Sequence, residues 1–139
     1  MDLYAETILD HYRHPRHKEL MSDATVSHEE KNLSCGDTLS IMLQISDEKV
    51  DAISWQGDGC AISQAAMSIL SEELQGKSLS DLDALTAEDI HTLLGIPIGN
   101  RRVKCALLCL HTLKNALHDL RKEPPQSWTD TVGNADKSS

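Results

Sequence analysis

Four side chains in this sequence are of the kind that binds metal and handles sulfur: Cys35, Asp37, Cys60 and Cys105. Cys35-Gly36-Asp37 precedes an alternating stretch, so it reads as a loop leading into a strand. Cys60 follows Gly57-Asp58-Gly59, where a glycine-rich break meets a helical pattern. Cys105 falls in the first turn or so of the last helical stretch. All three cysteines therefore lie near element ends, where side chains can converge and backbone donors are free. At a helix N-terminus the unpaired N–H groups and nearby cations favour a thiolate. Arg101, Arg102 and Lys104 supply such cations beside Cys105.

Three thiolates and a carboxylate suit a four-coordinate zinc ion. The same thiolates can hold an iron–sulfur cluster. A thiolate among them can also accept sulfur as a persulfide. The cysteines are far apart in sequence and form no CxxC pair. The competing reading is that each is a small buried hydrophobe, as free cysteines often are. Cys109, one turn beyond Cys105, fits a packing role or that of a spare thiol. His11, His14 and His17 cluster near the first helix end, but no carboxylate is fixed beside them by pattern. His111 reads as a surface residue, and Met42 and Met67 as core fillers.

The elements that must position these residues follow from periodicity. A helix is expected from Asp2 to about Arg13, with Leu3, Ile8, Leu9 and Tyr12 as its apolar residues; Pro15 ends it. Leu39, Ile41, Leu43 and Ile45 alternate with polar positions over 38–46, the signature of a half-buried strand. Residues 47–49 make a turn, and 50–56 return with Ile53 and Trp55 on one face. A weaker strand is expected over 25–30. From Cys60 an apolar stripe of Ile62, Ala65, Ala66, Ile69, Leu70 and Leu74 predicts a helix stopped by Gly76. Short helices are expected over 78–85 and from Thr86 to Leu94. The last helix spans about 101–121, with Val103, Leu107, Leu110, Leu113, Leu117 and Leu120 facing the core. Pro124-Pro125 breaks it, and 122–139 reads as a loose polar tail after a single domain over 1–121. The fold class expected is α+β: a small antiparallel three-stranded sheet packed on one face by helices.

The bulk numbers bound the function. A chain of 139 residues can bury a core without a disulfide or metal. With aromatics at 3% and no Phe, that core must be aliphatic. A net charge of −9 argues against nucleic-acid binding, which needs a basic stripe. No apolar run approaches a membrane span, and the N-terminal residues lack the pattern of a signal peptide. The protein is therefore expected to be cytoplasmic. Zinc hydrolase and deaminase motifs are absent.

Several stretches resemble one family. Ile8-Leu-Asp-His-Tyr-Arg-His-Pro-Arg16 resembles the opening helix and loop of the U-type iron–sulfur scaffolds: IscU, SufU and the N-terminal domain of NifU. Asn32-Leu-Ser-Cys-Gly-Asp37 resembles that family's first cysteine motif. Gly57-Asp-Gly-Cys-Ala-Ile-Ser63 and Arg102-Val-Lys-Cys-Ala-Leu107 resemble the second and third, in forms closer to SufU. The matches occur in family order over roughly residues 3 to 121. Two features depart from the branches: Lys104 stands where IscU members carry histidine, and the run from Gly76 to Cys105 is too short for the helical insertion usual in SufU.

The resemblance implies a SufE/NifU-like fold and a role in iron–sulfur cluster assembly. It implies Cys35, Cys60 and Cys105 as ligands of zinc or a [2Fe–2S] cluster. It implies Asp37 as a zinc ligand or as the acid that tunes cluster release. It implies a cysteine desulfurase as sulfur donor and apo iron–sulfur proteins as recipients. Cys105 is the candidate persulfide acceptor in a scaffold, and Cys35 in a zinc relay. A plain structural zinc domain is the reading without transfer chemistry.

Overall fold

In the computed structural model, residues 3–34 and 36–133 are described; Cys35 lies outside them. The chain runs α1 (Leu3–Arg13), β1 (Val26–Asn32), β2 (Asp37–Ser46), β3 (Lys49–Asp58), α2 (Ala61–Leu74), α3 (Leu79–Asp83) and α4 (Ala87–Leu94). A 3₁₀ turn over Asn100–Arg102 leads into α5 (Val103–Leu120), and α6 (Trp128–Val132) follows. The strands form one antiparallel sheet in the order β1-β2-β3, as the α+β reading expected.

The alternation of β2 sets the layering. Leu39, Ile41 and Leu43 are fully buried on the helix side, opposite Gly57, Trp55 and Ile53 of β3. The β2–β3 hairpin closes through Asp47 and Glu48, both with positive φ (51° and 61°), the two-residue geometry that matches strand twist. Trp55 is wholly buried between sheet and helices, and its indole N–H donates to the Arg16 carbonyl (2.7 Å). α2 and α5 supply most of the opposing layer through Ala65, Met67, Leu70, Leu107, Leu108 and Leu113. Met67 is thus core. Met42 points to the other face, where the Ser54 hydroxyl lies 3.8 Å from its sulfur.

Three details correct the sequence reading. First, α1 turns Ile8 and His11 inward, while Leu9 and Tyr12 are exposed. Its contact with α2 includes a polar bond, His11 Nδ1 to Ser68 Oγ at 2.8 Å, which apolar periodicity cannot reveal.

Second, β1 presents His28, Glu30 and Asn32 on its inward side. Both ring nitrogens of His28 lie 2.5 Å from carboxylate oxygens, Nδ1 from Asp119 on α5 and Nε2 from Glu30. Asn115 Nδ2 donates to Glu30 Oε2 (3.0 Å). A strand docked by hydrogen bonds shows no hydrophobic alternation.

Third, the described part of the tail is not loose. α6 starts with a capping box between Ser127 and Asp130, and Trp128 stacks on His111 with ring centroids 4.1 Å apart. His111 is therefore buried, not a surface residue, and its Nδ1 lies 2.5 Å from Thr131 Oγ1. Asn115 grips both backbone polar groups of Gln126. Residues 134–139 lie outside the described part.

Candidate metal centre

Asp37, Cys60 and Cys105 come from three elements and meet at one end of the sheet. Asp37 opens β2 on the same face as Leu39, so the strand's own alternation aims its carboxylate at the helix layer. Cys60 is the N-cap of α2, with an extended backbone (φ −72°, ψ 162°). Its sulfur takes the place usually held by a serine or aspartate oxygen: Ser63 N–H donates to Cys60 Sγ at 3.5 Å. Cys105 projects from the first turn of α5. One oxygen or sulfur from each of the three residues lies within 4.8 Å of the others. Among the described residues, this is the one group of three or more His, Cys, Asp or Glu side chains so arranged.

The carboxylate is held tightly. Cys60 N–H donates to Asp37 Oδ1 at 2.8 Å, and Cys60 Sγ lies 3.7 Å from Oδ2. Asp37 is 1% exposed and Cys105 5%, while Cys60 is half-buried. Gly59 makes room for this arrangement. A Cβ there would fall 2.1 Å from Asp37 Oδ1, and its φ of +146° is one that L side chains rarely adopt. The break that punctuates the sequence before Cys60 is thus a seat for the aspartate.

The donor set fits a metal. Two sulfurs and a carboxylate oxygen are ligands that zinc and iron accept. Both sulfurs sit at helix N-termini, Cys60 as the cap of α2 and Cys105 in the first turn of α5. Of the four residues expected at the site, the structure brings these three together; the fourth, Cys35, lies outside the described residues. Ser34 and Gly36 on either side of it are exposed.

The expected cations take different positions. Arg101 and Arg102 are exposed on the 3₁₀ turn. The Lys104 ammonium lies over the Trp128 ring, 5.5 Å from its centroid, within cation–π range. Cys109 is fully buried, with its sulfur 3.5 Å from the Ala106 carbonyl. Burial pushes its thiol up to about 12, so it packs as a hydrophobe. His14 is exposed and His11 engages Ser68, so the first-helix histidines do not converge. Sequence reasoning gave no role to Asn32, although it lies in the Asn32–Asp37 stretch; its Nδ2 lies 3.9 Å from Cys105 Sγ.

Among the described residues, no helix is long and apolar enough to cross a membrane. Residues 3–126 match the model of the NifU-like N-terminal domain. An iron–sulfur cluster assembly scaffold protein IscU of Thermotoga maritima is 31% identical over 86% of this chain and 96% of its own length. The zinc-dependent sulfurtransferase SufU of Bacillus subtilis is 29% identical, over 83% and 89%. A crystal structure from Fervidobacterium islandicum, described as an iron–sulfur cluster assembly scaffold for the SUF system, superposes with a TM-score of 0.70 at 28% identity. That alignment covers 81% of this chain and 94% of that one. The cysteine stretches, the helix-backed three-stranded sheet and these matches agree: the chain belongs to the NifU-like N-terminal domain family.

Proposed function

We propose that this protein is an iron–sulfur cluster assembly scaffold, with Asp37, Cys60 and Cys105, together with Cys35, as the ligand set. The observation that carries this reading is the meeting of three ligand atoms from β2, α2 and α5 within 4.8 Å. The relatives named as scaffolds, aligned over most of the chain, support it. The sulfur source is a cysteine desulfurase, and the products are delivered to apo iron–sulfur proteins.

The chain's own groups define the chemistry. An acceptor thiolate attacks the terminal sulfur of the desulfurase persulfide; the new S–S bond forms as the desulfurase thiolate leaves. Cys105 is almost wholly buried, which restricts approach of a second protein. Cys105 in a scaffold and Cys35 in a zinc relay are the candidate acceptors. Asp37, fixed by the Cys60 amide, is the one oxygen donor among sulfurs, and an oxygen ligand is the natural point of release for a sulfur-rich cluster.

A zinc-dependent persulfide relay is the second reading. It is favoured by the close Asp37–Cys60 pairing and by the similarity to a zinc-dependent sulfurtransferase. A purely structural zinc domain has less support, because the aliphatic core beneath the site is extensive without any metal.

Anaerobic reconstitution with iron(II), cysteine, a cysteine desulfurase and a thiol reductant, which supplies the electrons that turn persulfide sulfur into sulfide, tests the choice. The scaffold reading expects visible absorption of a [2Fe–2S] cluster that Asp37→Ala makes longer-lived. Zinc-dependent stimulation of the desulfurase with no cluster, lost in Asp37→Ala, would instead establish the relay.

A further inference from the structure

We propose that Asn32 is a positioning residue of this metal centre, joining the turn at Ser34 and Gly36 to Cys105. The inference rests on the metal-site reading above. Asn32 and Asp37 are the last paired residues of the β1–β2 ladder. Asn32 holds the backbone at Ser34 and Gly36. Its carbonyl accepts the Gly36 N–H (2.8 Å), and its Oδ1 accepts the Ser34 N–H (3.3 Å). These two bonds secure the residues on both sides of Cys35. Gly36 permits the turn with φ +74°.

The other end of the side chain points at the site. Asn32 is 3% exposed, and its Nδ2 lies 3.9 Å from Cys105 Sγ. It is the last of the inward row of β1, whose three polar members all reach α5: His28 to Asp119, Glu30 to Asn115 and Asn32 to Cys105. The first two pairs join polar groups with no part in the site. The third ends on a candidate ligand. An amide N–H directed at a ligating sulfur orients it and offsets its charge, and such outer partners typically govern metal affinity by about 10–100-fold. One residue thereby ties the turn at Ser34 and Gly36 to the helix that carries Cys105.

The test is anaerobic titration of the full chain with Co²⁺ and Zn²⁺, for wild type, Asn32→Leu and Asn32→Ser. Leu keeps the approximate size but offers no amide. Ser keeps an oxygen for the loop but cannot reach Cys105, and it decides the matter if the Leu variant does not fold. Folding of each apo protein is checked by thermal melting. The expected result is a loss of about 10–100-fold in metal affinity, with altered sulfur-to-cobalt charge-transfer bands, in a variant that remains folded. Wild-type affinity and unchanged bands in a folded variant would overturn the role of Asn32 while leaving the metal site intact. No metal binding by wild type would overturn the site itself, and this inference with it.

Discussion

At the scale of single residues, the site depends on what is missing as much as on what is present. Gly59 has no side chain, and Asp37 occupies the space where one would be. Gly59→Ala is therefore expected to displace the carboxylate and strain the backbone, at a cost of about 1–3 kcal/mol. Metal binding should weaken with it. A melting curve and a zinc titration check both; an unchanged melting temperature with full zinc affinity would contradict the account. The cysteines and Asp37 were legible as candidates because their residue types are the ones metals use. Asn32 and Gly59 were not, since an asparagine before a turn and a glycine in a break have ordinary local explanations. Only the fold shows that one faces Cys105 and the other faces Asp37.

At the scale of elements, the sequence revealed what is apolar and hid what is polar. β2 alternates cleanly and matched expectation closely. β1 docks through His28, Glu30 and Asn32, so its inward face looked like a solvated one. Two helix joints hide histidines in the same way: His11 between α1 and α2, and His111 between α5 and α6. Burial holds both below the ordinary imidazole value of 6.5. Arg16 adds to this at His11, against Glu72 and Asp10; at His111, His28 and Lys104 add to it, against Glu30. Since the unfolded chain binds these protons more readily, the stabilisation is present above about pH 6.5 and is lost as pH falls below it. The melting temperature should drop between pH 7 and pH 5, and less steeply in His11→Gln. A flat profile for wild type over that window would contradict the burial of these rings as neutral groups.

At the scale of the molecule, the fold brings together residues that are remote in sequence. A strand start, a helix cap and a first helical turn meet because β2, α2 and α5 all begin at one edge of the sheet–helix sandwich. That convergence was not legible from spacing alone; it was expected from the resemblance of three stretches in order, and in the fold one ligand-type atom from each of Asp37, Cys60 and Cys105 lies within 4.8 Å of the others. α6 shows the opposite case. Its composition suggested a loose tail, yet Trp128 finds both His111 and Lys104 as partners, and the family match stops at residue 126, just before it. The claim that most needs testing is that the distant ligands act as one centre. Metal content per chain in anaerobically purified protein, wild type beside Cys60→Ser, tests it most directly. The account predicts tightly held zinc or a cluster in wild type and its loss in Cys60→Ser, with the apo variant still folded. Wild type that holds no metal, even after reconstitution with zinc or with iron and sulfide, would contradict it.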